Sequence, residues 1–344
     1  MVGLLFVGAT SAAAAGVSHC EGSSCRAVVL DGDAGGSMSL LQHRGSDKAH
    51  RRAPPALEPM DPESQRKRLE KATPMAWFHV PKCGSSLENL LIHLPGLCPG
   101  VPDDIVVSVE TFGENHNSAF KKAYRPLDQD GACPGSFTHW GAHDGADPDW
   151  ETMYNGHAIT MLREPEQRLL SGYNYGQHSW PGDWPAWSEL EYADKLQGCA
   201  VRMLVHGGSD MKDTCGGRYT GMPTPDEVKL AIERLKTGFV FVGITDKWAL
   251  SMCLGHRMFG GKCRTSDFVD GRITALDGEK ETRGKVMPEP HLYDLSPLKG
   301  FRDPYDGQLY EAGLEIFNDN LRRYNVSIES CKPCFDEAGI EVSA

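Results

Sequence analysis

An α/β fold, with a central parallel sheet and helices on both faces, is predicted for residues 74–330 of this 344-residue chain. Three observations predict it. Short apolar stretches with aromatic and β-branched residues recur at Trp77 to Val80, Asp104 to Val109, Ser136 to Trp140 and Gly156 to Leu162. Between them lie runs with leucines at helical spacing, and strands alternating with helices favour a parallel sheet. Polar residues collect where the strands end: Lys82, His139 and Arg163 each follow or close a strand. In such sheets ligands bind beyond the carboxyl ends of the strands.

The first strand and its exit are the centre of this reading. Trp77 to Val80 suits a buried strand, and Pro81 ends it because proline donates nothing to a ladder. Lys82, Cys83, Gly84, Ser85 and Ser86 form a small, polar turn. Leu87, Leu90, Leu91 and Leu94 then recur at helical spacing until Pro95. Strand, small-residue turn and helix aim backbone N–H groups at an anion. With a lysine and two hydroxyls in the turn, the guest predicted is a phosphate or sulfate ester. The same residues also fit an ordinary strand-to-helix connection with a solvated lysine. The turn differs from the ATP-type loop G-x-x-x-x-G-K-[ST], because Lys82 precedes Gly84.

Further along, Thr111 to Ser118 reads as a polar loop. Ser136-Phe-Thr-His-Trp140 reads as a strand that delivers His139 to an edge, with His143 and Asp144 in the Gly-rich loop beyond. Gly156 to Leu162 is the most strand-like run, and Arg163 stands at its end. Pro165 suits a first helical turn, continued by Arg168, Leu169, Leu170 and Tyr173.

The start of the chain is of another kind. Residues Val2 to Val17 are uncharged and apolar but shorter than the ~20 residues of a membrane-spanning helix. They read as a signal peptide or a short membrane anchor (1–17). Residues 18–73, rich in Gly, Ser, His, Arg and Pro, read as a flexible stem in which Gln65 to Lys71 forms one exposed basic turn. Residues 331–344 read as a C-terminal tail.

Formal charge is −12, which excludes a globally basic nucleic-acid binder, so any anionic substrate must be met by local positive charge. Eleven cysteines point to an oxidising compartment. Cys83 sits in the anion turn, leaving ten to pair; local partners are Cys98 with Cys133, Cys199 with Cys215, Cys253 with Cys263, and Cys331 with Cys334, the last two cysteines alternatively serving separate bridges. Asn325-Val-Ser327 is a glycosylation sequon, usable only in the secretory pathway.

Two of these motifs, in this order, resemble the nucleotide-binding motifs of sulfotransferases. Phe78-His-Val-Pro-Lys-Cys-Gly-Ser-Ser86 is similar to their 5′-phosphosulfate loop, usually Pro-Lys-(Thr/Ser)-Gly with hydroxyls after it. Thr160-Met-Leu-Arg-Glu-Pro-Glu-Gln-Arg-Leu-Leu-Ser-Gly-Tyr173 is similar to their 3′-phosphate motif, Leu-Arg-Asp-Pro-x-x-Arg-x-x-Ser. Phe239 to Trp248 and Asp306 to Phe317 resemble a strand-and-turn and the C-terminal helix of the Golgi carbohydrate branch, the heparan sulfate O-sulfotransferase-like group. The likeness runs from about Met75 to Tyr324, with Cys83 in place of a hydroxyl, Ser85 where a second glycine is common, and Glu164 for aspartate.

The resemblance implies a P-loop NTPase-like sulfotransferase fold and transfer of a sulfuryl group from 3′-phosphoadenosine 5′-phosphosulfate to a carbohydrate hydroxyl, in the Golgi lumen and without metal. It implies Lys82, Cys83, Gly84, Ser85, Ser86, Arg163 and Ser171 as donor-binding residues, with Lys82 also stabilising charge on the leaving phosphate. His139 is the implied general base and His143 its rival; imidazole titrates near neutrality. Thr282-Arg-Gly-Lys285 is either an exposed basic loop or a cover for the adenosine, and Trp180, Trp184 and Trp187 either stack on sugar or pack internally. Lys121, Lys122 and Arg125 form a local basic patch for an acidic acceptor. The alternatives are a non-catalytic lumenal nucleotide- or glycan-binding protein on the same fold and a P-loop small-molecule kinase.

Overall fold

The computed structural model describes residues 18–21, 24–27 and 55–342, except 114, 128–129, 176–185, 209–214, 216–220, 272–285, 287 and 290. Two units divide the chain, 1–52 and 53–344. In the first, strands β1 (Ser18–Glu21) and β2 (Ser24–Ala27) pair antiparallel, with Cys20 opposite Cys25. The stem reading did not foresee this ladder.

The second unit holds a four-stranded, all-parallel sheet built from β3 (Met75–Trp77), β4 (Phe137–Trp140), β5 (Ala158–Leu162) and β6 (Phe239–Ile244), in the order β4-β3-β5-β6. Helices surround it: α1 (Pro62–Ala72), α2 (Leu87–His93), α3 (Val109–Phe112), α4 (His116–Tyr124) and α5 (Pro165–Tyr175). After these come α6 (Glu189–Leu196), α7 (Cys199–Val205), α8 (Pro225–Gly238), α9 (Trp248–Phe259), α10 (Asp306–Arg323) and α11 (Lys332–Ala338). Parallel strands buried on both faces should be apolar throughout, and every residue of β3 and β5 is buried. Trp77, Trp140 and Phe120 are almost wholly enclosed and stack edge or face against one another.

The strand order creates the crevice that the site uses. From β3 the chain crosses to β4 on one side, then returns past β3 to β5 on the other. The connections leaving β3 and β5 therefore diverge, which opens a cleft at their carboxyl ends. Lys82 follows β3 and Arg163 follows β5 directly.

Three expectations need correction. Asp104 to Val109 is not a strand, and the polar loop expected after it is the helical pair α3 and α4. The buried Val107 has its backbone bonds met by a side chain: Asn89 of α2 donates through Nδ2 to Val107 O (3.1 Å) and accepts from Val107 N through Oδ1 (2.7 Å). An amide that supplies both bonds removes the need for a neighbouring strand. Second, the stem does not run to residue 73 as a linker. α1 packs on α9, with Leu69 and Ala72 buried and Gln65 donating to the carbonyls of His256 and Arg257 (both 3.2 Å). Third, residues 331–344 are not a loose tail. Cys331 and Cys334 of the α11 segment bridge to Cys253 and Cys263. The pairings Cys253 with Cys263 and Cys331 with Cys334 are thereby overturned, whereas Cys98–Cys133 and Cys199–Cys215 form as expected. Four bridges among the described residues place the chain in an oxidising secretory or extracellular setting. No helix among the described residues is long and apolar enough to cross a membrane.

Candidate active site

Two residues of the turn after β3 hold left-handed backbone, Lys82 (φ 67°) and Gly84 (φ 88°). At Gly84 a side chain is excluded twice over, because an added Cβ would stand 2.6 Å from Trp248 Cζ3. The turn thus presses on the segment Thr245–Trp248, and Thr245 Oγ1 lies 3.5 Å from that same Cβ position. Cys83 points into the core, and burial pushes its thiol up to about 12. It stands where the resemblance has a hydroxyl, but its side chain is packing. Ser86 Oγ accepts from Gly271 N (2.8 Å), which ties the turn to a segment 185 residues further along the chain. Lys82 Nζ sits 3.8 Å from the centre of the Tyr175 ring, on the last turn of α5.

The second motif starts at the end of β5. Arg163 is buried, donates through Nη2 to His291 O (2.8 Å), and lies 5.4 Å above the Tyr293 ring. Its Nε is 3.7 Å from Asp246 Oδ1, without a hydrogen bond. Asp246 is itself held, since Oδ2 accepts from Glu164 N (3.0 Å) and from the Tyr310 hydroxyl (3.4 Å). Ser171 is buried on α5, the helix whose end supports Lys82. Arg168 has a structural role, meeting Asp306 (3.2 Å) and the Leu196 carbonyl (3.4 Å) in the interior.

The two motifs converge on one region. Lys82 rests on the helix that Arg163 introduces, Gly84 abuts Thr245, and Asp246 beside it faces Arg163. The positive charges of Arg168 and Arg163 both act on the Cys83 thiol, within the turn. Buried polar atoms there that lack hydrogen-bond partners include Thr245 Oγ1 and the facing pair Arg163 Nε and Asp246 Oδ1. Unmet polar atoms in a buried cleft are the feature a polar ligand would complete.

The histidines part company. His139, on edge strand β4, lies beside Tyr154 (5.6 Å between rings), the residue that also meets Phe78 edge-on. Its Nε2 is 3.5 Å from Ala142 O and 3.8 Å from Asp144 Oδ2. Burial, with repulsion from Lys121, holds its imidazole below the ordinary 6.5 against the pull of the Ala142 carbonyl. His143 instead donates through Nδ1 to the carbonyl of His79 (2.9 Å) and packs on its ring at 4.4 Å. His79 in turn reaches Ser85 of the turn (3.4 Å from Nε2 to Oγ). Strand alternation sets His79 and Phe78 on opposite sides, so His143 joins the anion turn while His139 sits on the Phe78–Tyr154 side.

Sequence reasoning missed His79, Tyr175 and Asp246. Period-two spacing from Trp77 could have flagged His79, and Asp246 lies in the Phe239 to Trp248 stretch already singled out; nothing local marks Tyr175. Lys121, Lys122 and Arg125 are exposed at the end of α4, and Lys121 is within electrostatic reach of His139. Trp187 packs: its carbonyl accepts from the Tyr173 hydroxyl (2.9 Å) and its ring lies under Lys195. Trp180, Trp184 and Thr282 to Lys285 lie outside the described residues. No protein-family model, no curated protein and no solved structure matches the chain.

Proposed function

We propose that this chain is a carbohydrate O-sulfotransferase with a P-loop NTPase-like sulfotransferase fold, using 3′-phosphoadenosine 5′-phosphosulfate as donor. One observation supports the reading above the rest: two anion-directed motifs leave the two strands that flank the switch point, and Lys82 of the first rests on the helix of the second. In this reading Lys82 neutralises charge on the leaving 5′-phosphate, and the turn's backbone and hydroxyls orient the sulfuryl group. Arg163 and Ser171 take the 3′-phosphate; the Nε of Arg163 and the hydroxyl of Thr245 have hydrogen-bonding capacity to spare.

The transfer step balances simply. The acceptor oxygen forms a bond to sulfur as the bridging oxygen–sulfur bond breaks, its electron pair staying on the phosphate. The acceptor proton passes to a histidine. His143 is favoured as the base, because its Nδ1 proton is committed to the His79 carbonyl and Nε2 is the basic nitrogen. His139 is the alternative named by its sequence position. The exposed Lys121, Lys122 and Arg125 suit an acidic glycan, and the disulfides suit the lumen of the secretory pathway, with the Golgi as the proposed station.

A labelled-donor assay across a panel of glycans tests the proposal. Lys82→Ala and Arg163→Ala should each lower the rate ~10²-fold or more, as the loss of a charge stabiliser does. His143→Ala should abolish turnover while donor affinity stays, and His139→Ala should cost less. Transfer at wild-type rate by the Lys82 or Arg163 variant would remove that residue from the mechanism. Protection from heat by ATP but not by the sulfate donor would turn the reading toward a kinase.

A further inference from the structure

Trp77 and His79 project to the same side of β3 and its extension, and their rings stack with centres 4.6 Å apart. Nδ1 of the imidazole lies 2.8 Å from the Gly141 carbonyl oxygen. Gly141 has to be glycine there, because an added Cβ would come within 2.3 Å of the Trp77 ring. A carbonyl can only accept, so Nδ1 carries a proton and the neutral ring keeps Nε2 as an acceptor. Ser85 Oγ stands 3.4 Å from that Nε2. The serine hydroxyl therefore donates into the ring, and its remaining lone pairs are what the turn has to offer. That polarity is wrong for an anion, which needs a donor.

Protonation reverses it. An imidazolium donates from both nitrogens, so Nε2–H then donates to Ser85 Oγ and the serine proton is released to the ligand. One proton on a buried ring converts the hydroxyl from acceptor to donor with no heavy atom displaced. The groups around the ring set the cost. Trp77 covers it from its own strand, and the loop after β4 contributes the Gly141 carbonyl and the His143 ring at 4.4 Å, with Asp144 next in sequence. Ser85 and the cationic Lys82 belong to the turn itself. A positive charge on this buried ring is opposed by desolvation until a bound anion offsets it, so anion and proton each favour the other.

We propose that His79 is a positioning residue that links anion binding in the 82–86 turn to uptake of a proton, by switching Ser85 from acceptor to donor. The ligand group is a sulfate or phosphate ester, and the proposal rests on the reading of the turn as a donor loop. The 3′-phosphate end of the nucleotide plays no part in it.

Titration calorimetry with adenosine 3′,5′-bisphosphate tests this, run from about pH 6 to about pH 8 in buffers of different ionisation enthalpy. In the wild type, affinity should rise as pH falls, the His79 proton contributing up to about tenfold per pH unit. His79→Asn keeps an amide donor for Gly141 but carries no titrating nitrogen, so its slope should fall by up to one proton. Ser85→Ala should lose the same proton with His79 in place, which guards against a misfolded His79 variant. Equal slopes in all three proteins overturn the proposal. Imidazole nitrogen NMR shifts give a ligand-free arm: a neutral His79 protonated on Nε2, or one indifferent to Ser85→Ala, also overturns it. Binding of the bisphosphate without proton linkage sinks the switch alone. Binding of neither bisphosphate nor inorganic sulfate sinks the donor-loop reading, and the switch falls with it.

Discussion

Gly84 is held to glycine by two constraints at once. Its φ of 88° is left-handed and its Cβ position is filled by Trp248, so alanine there must both strain the backbone and push an indole. Trp248 cannot easily yield, since its Nε1 donates to the Asp267 carbonyl (2.8 Å) and it is itself buried. Gly84→Ala should cost roughly 1–3 kcal/mol, the range for a strained φ and an overpacked contact. Urea unfolding measures it, and a variant as stable as the wild type would show that Trp248 moves freely. The geometry around Arg163 is of a different kind. Asp246 faces the guanidinium at 3.7 Å and is fixed by Glu164 N and Tyr310, so Arg163 is oriented before any ligand arrives. A pre-oriented arginine loses less freedom on binding.

At the scale of elements, the helices that frame the site are held by buried carboxylates. Asp306 at the start of α10 accepts from Ala200 N and Val201 N at the first turn of α7 (both 3.0 Å) and pairs with Arg168 of α5. Asp303 accepts from Gly198 N (2.9 Å) and from the backbone of Tyr305 and Asp306. Burial, then Asp306 beside it, pushes the Asp303 carboxyl up to about 7 from 3.8. The folded state thus binds this proton more tightly than the unfolded chain does. Its stabilising effect is complete below the unfolded value near 4 and is lost as pH rises through about 7. Thermal unfolding followed across that window should show Asp303→Asn losing less stability with rising pH than the wild type. Parallel curves for the two proteins would mean that Asp303 does not titrate there.

For the whole molecule, the C-terminal bridges decide where the fold ends. Cys253–Cys331 and Cys263–Cys334 close loops of 78 and 71 residues and attach the α11 segment to α9 and the loop behind it. Removing the first pair as Cys253→Ser/Cys331→Ser should cost about 4 kcal/mol, the chain entropy that a loop of this length returns to the unfolded state. Limited proteolysis should then cut first near α11, and unchanged resistance would show that packing of Phe335 and Ile340 suffices. The net charge of −12 acts at this scale too, so an acidic partner needs a local cluster of exposed cations such as Lys121, Lys122 and Arg125.

Strand and helix identities in the β3–α2 and β5–α5 units were legible because apolar spacing and proline punctuation are local properties of the chain. So were Lys82 and Arg163 as strand-end cations, and two of the four disulfides among the described residues, whose partners lie 35 and 16 residues apart. Val107 misled, because its strand-like residues are satisfied by an amide 18 positions away rather than by a neighbouring strand. Tertiary structure alone decided the sheet order, the long-range bridges, the Asp246 contact and the division of His139 from His143. Those depend on which surfaces meet after the chain has folded back, and spacing along a sequence carries no record of that.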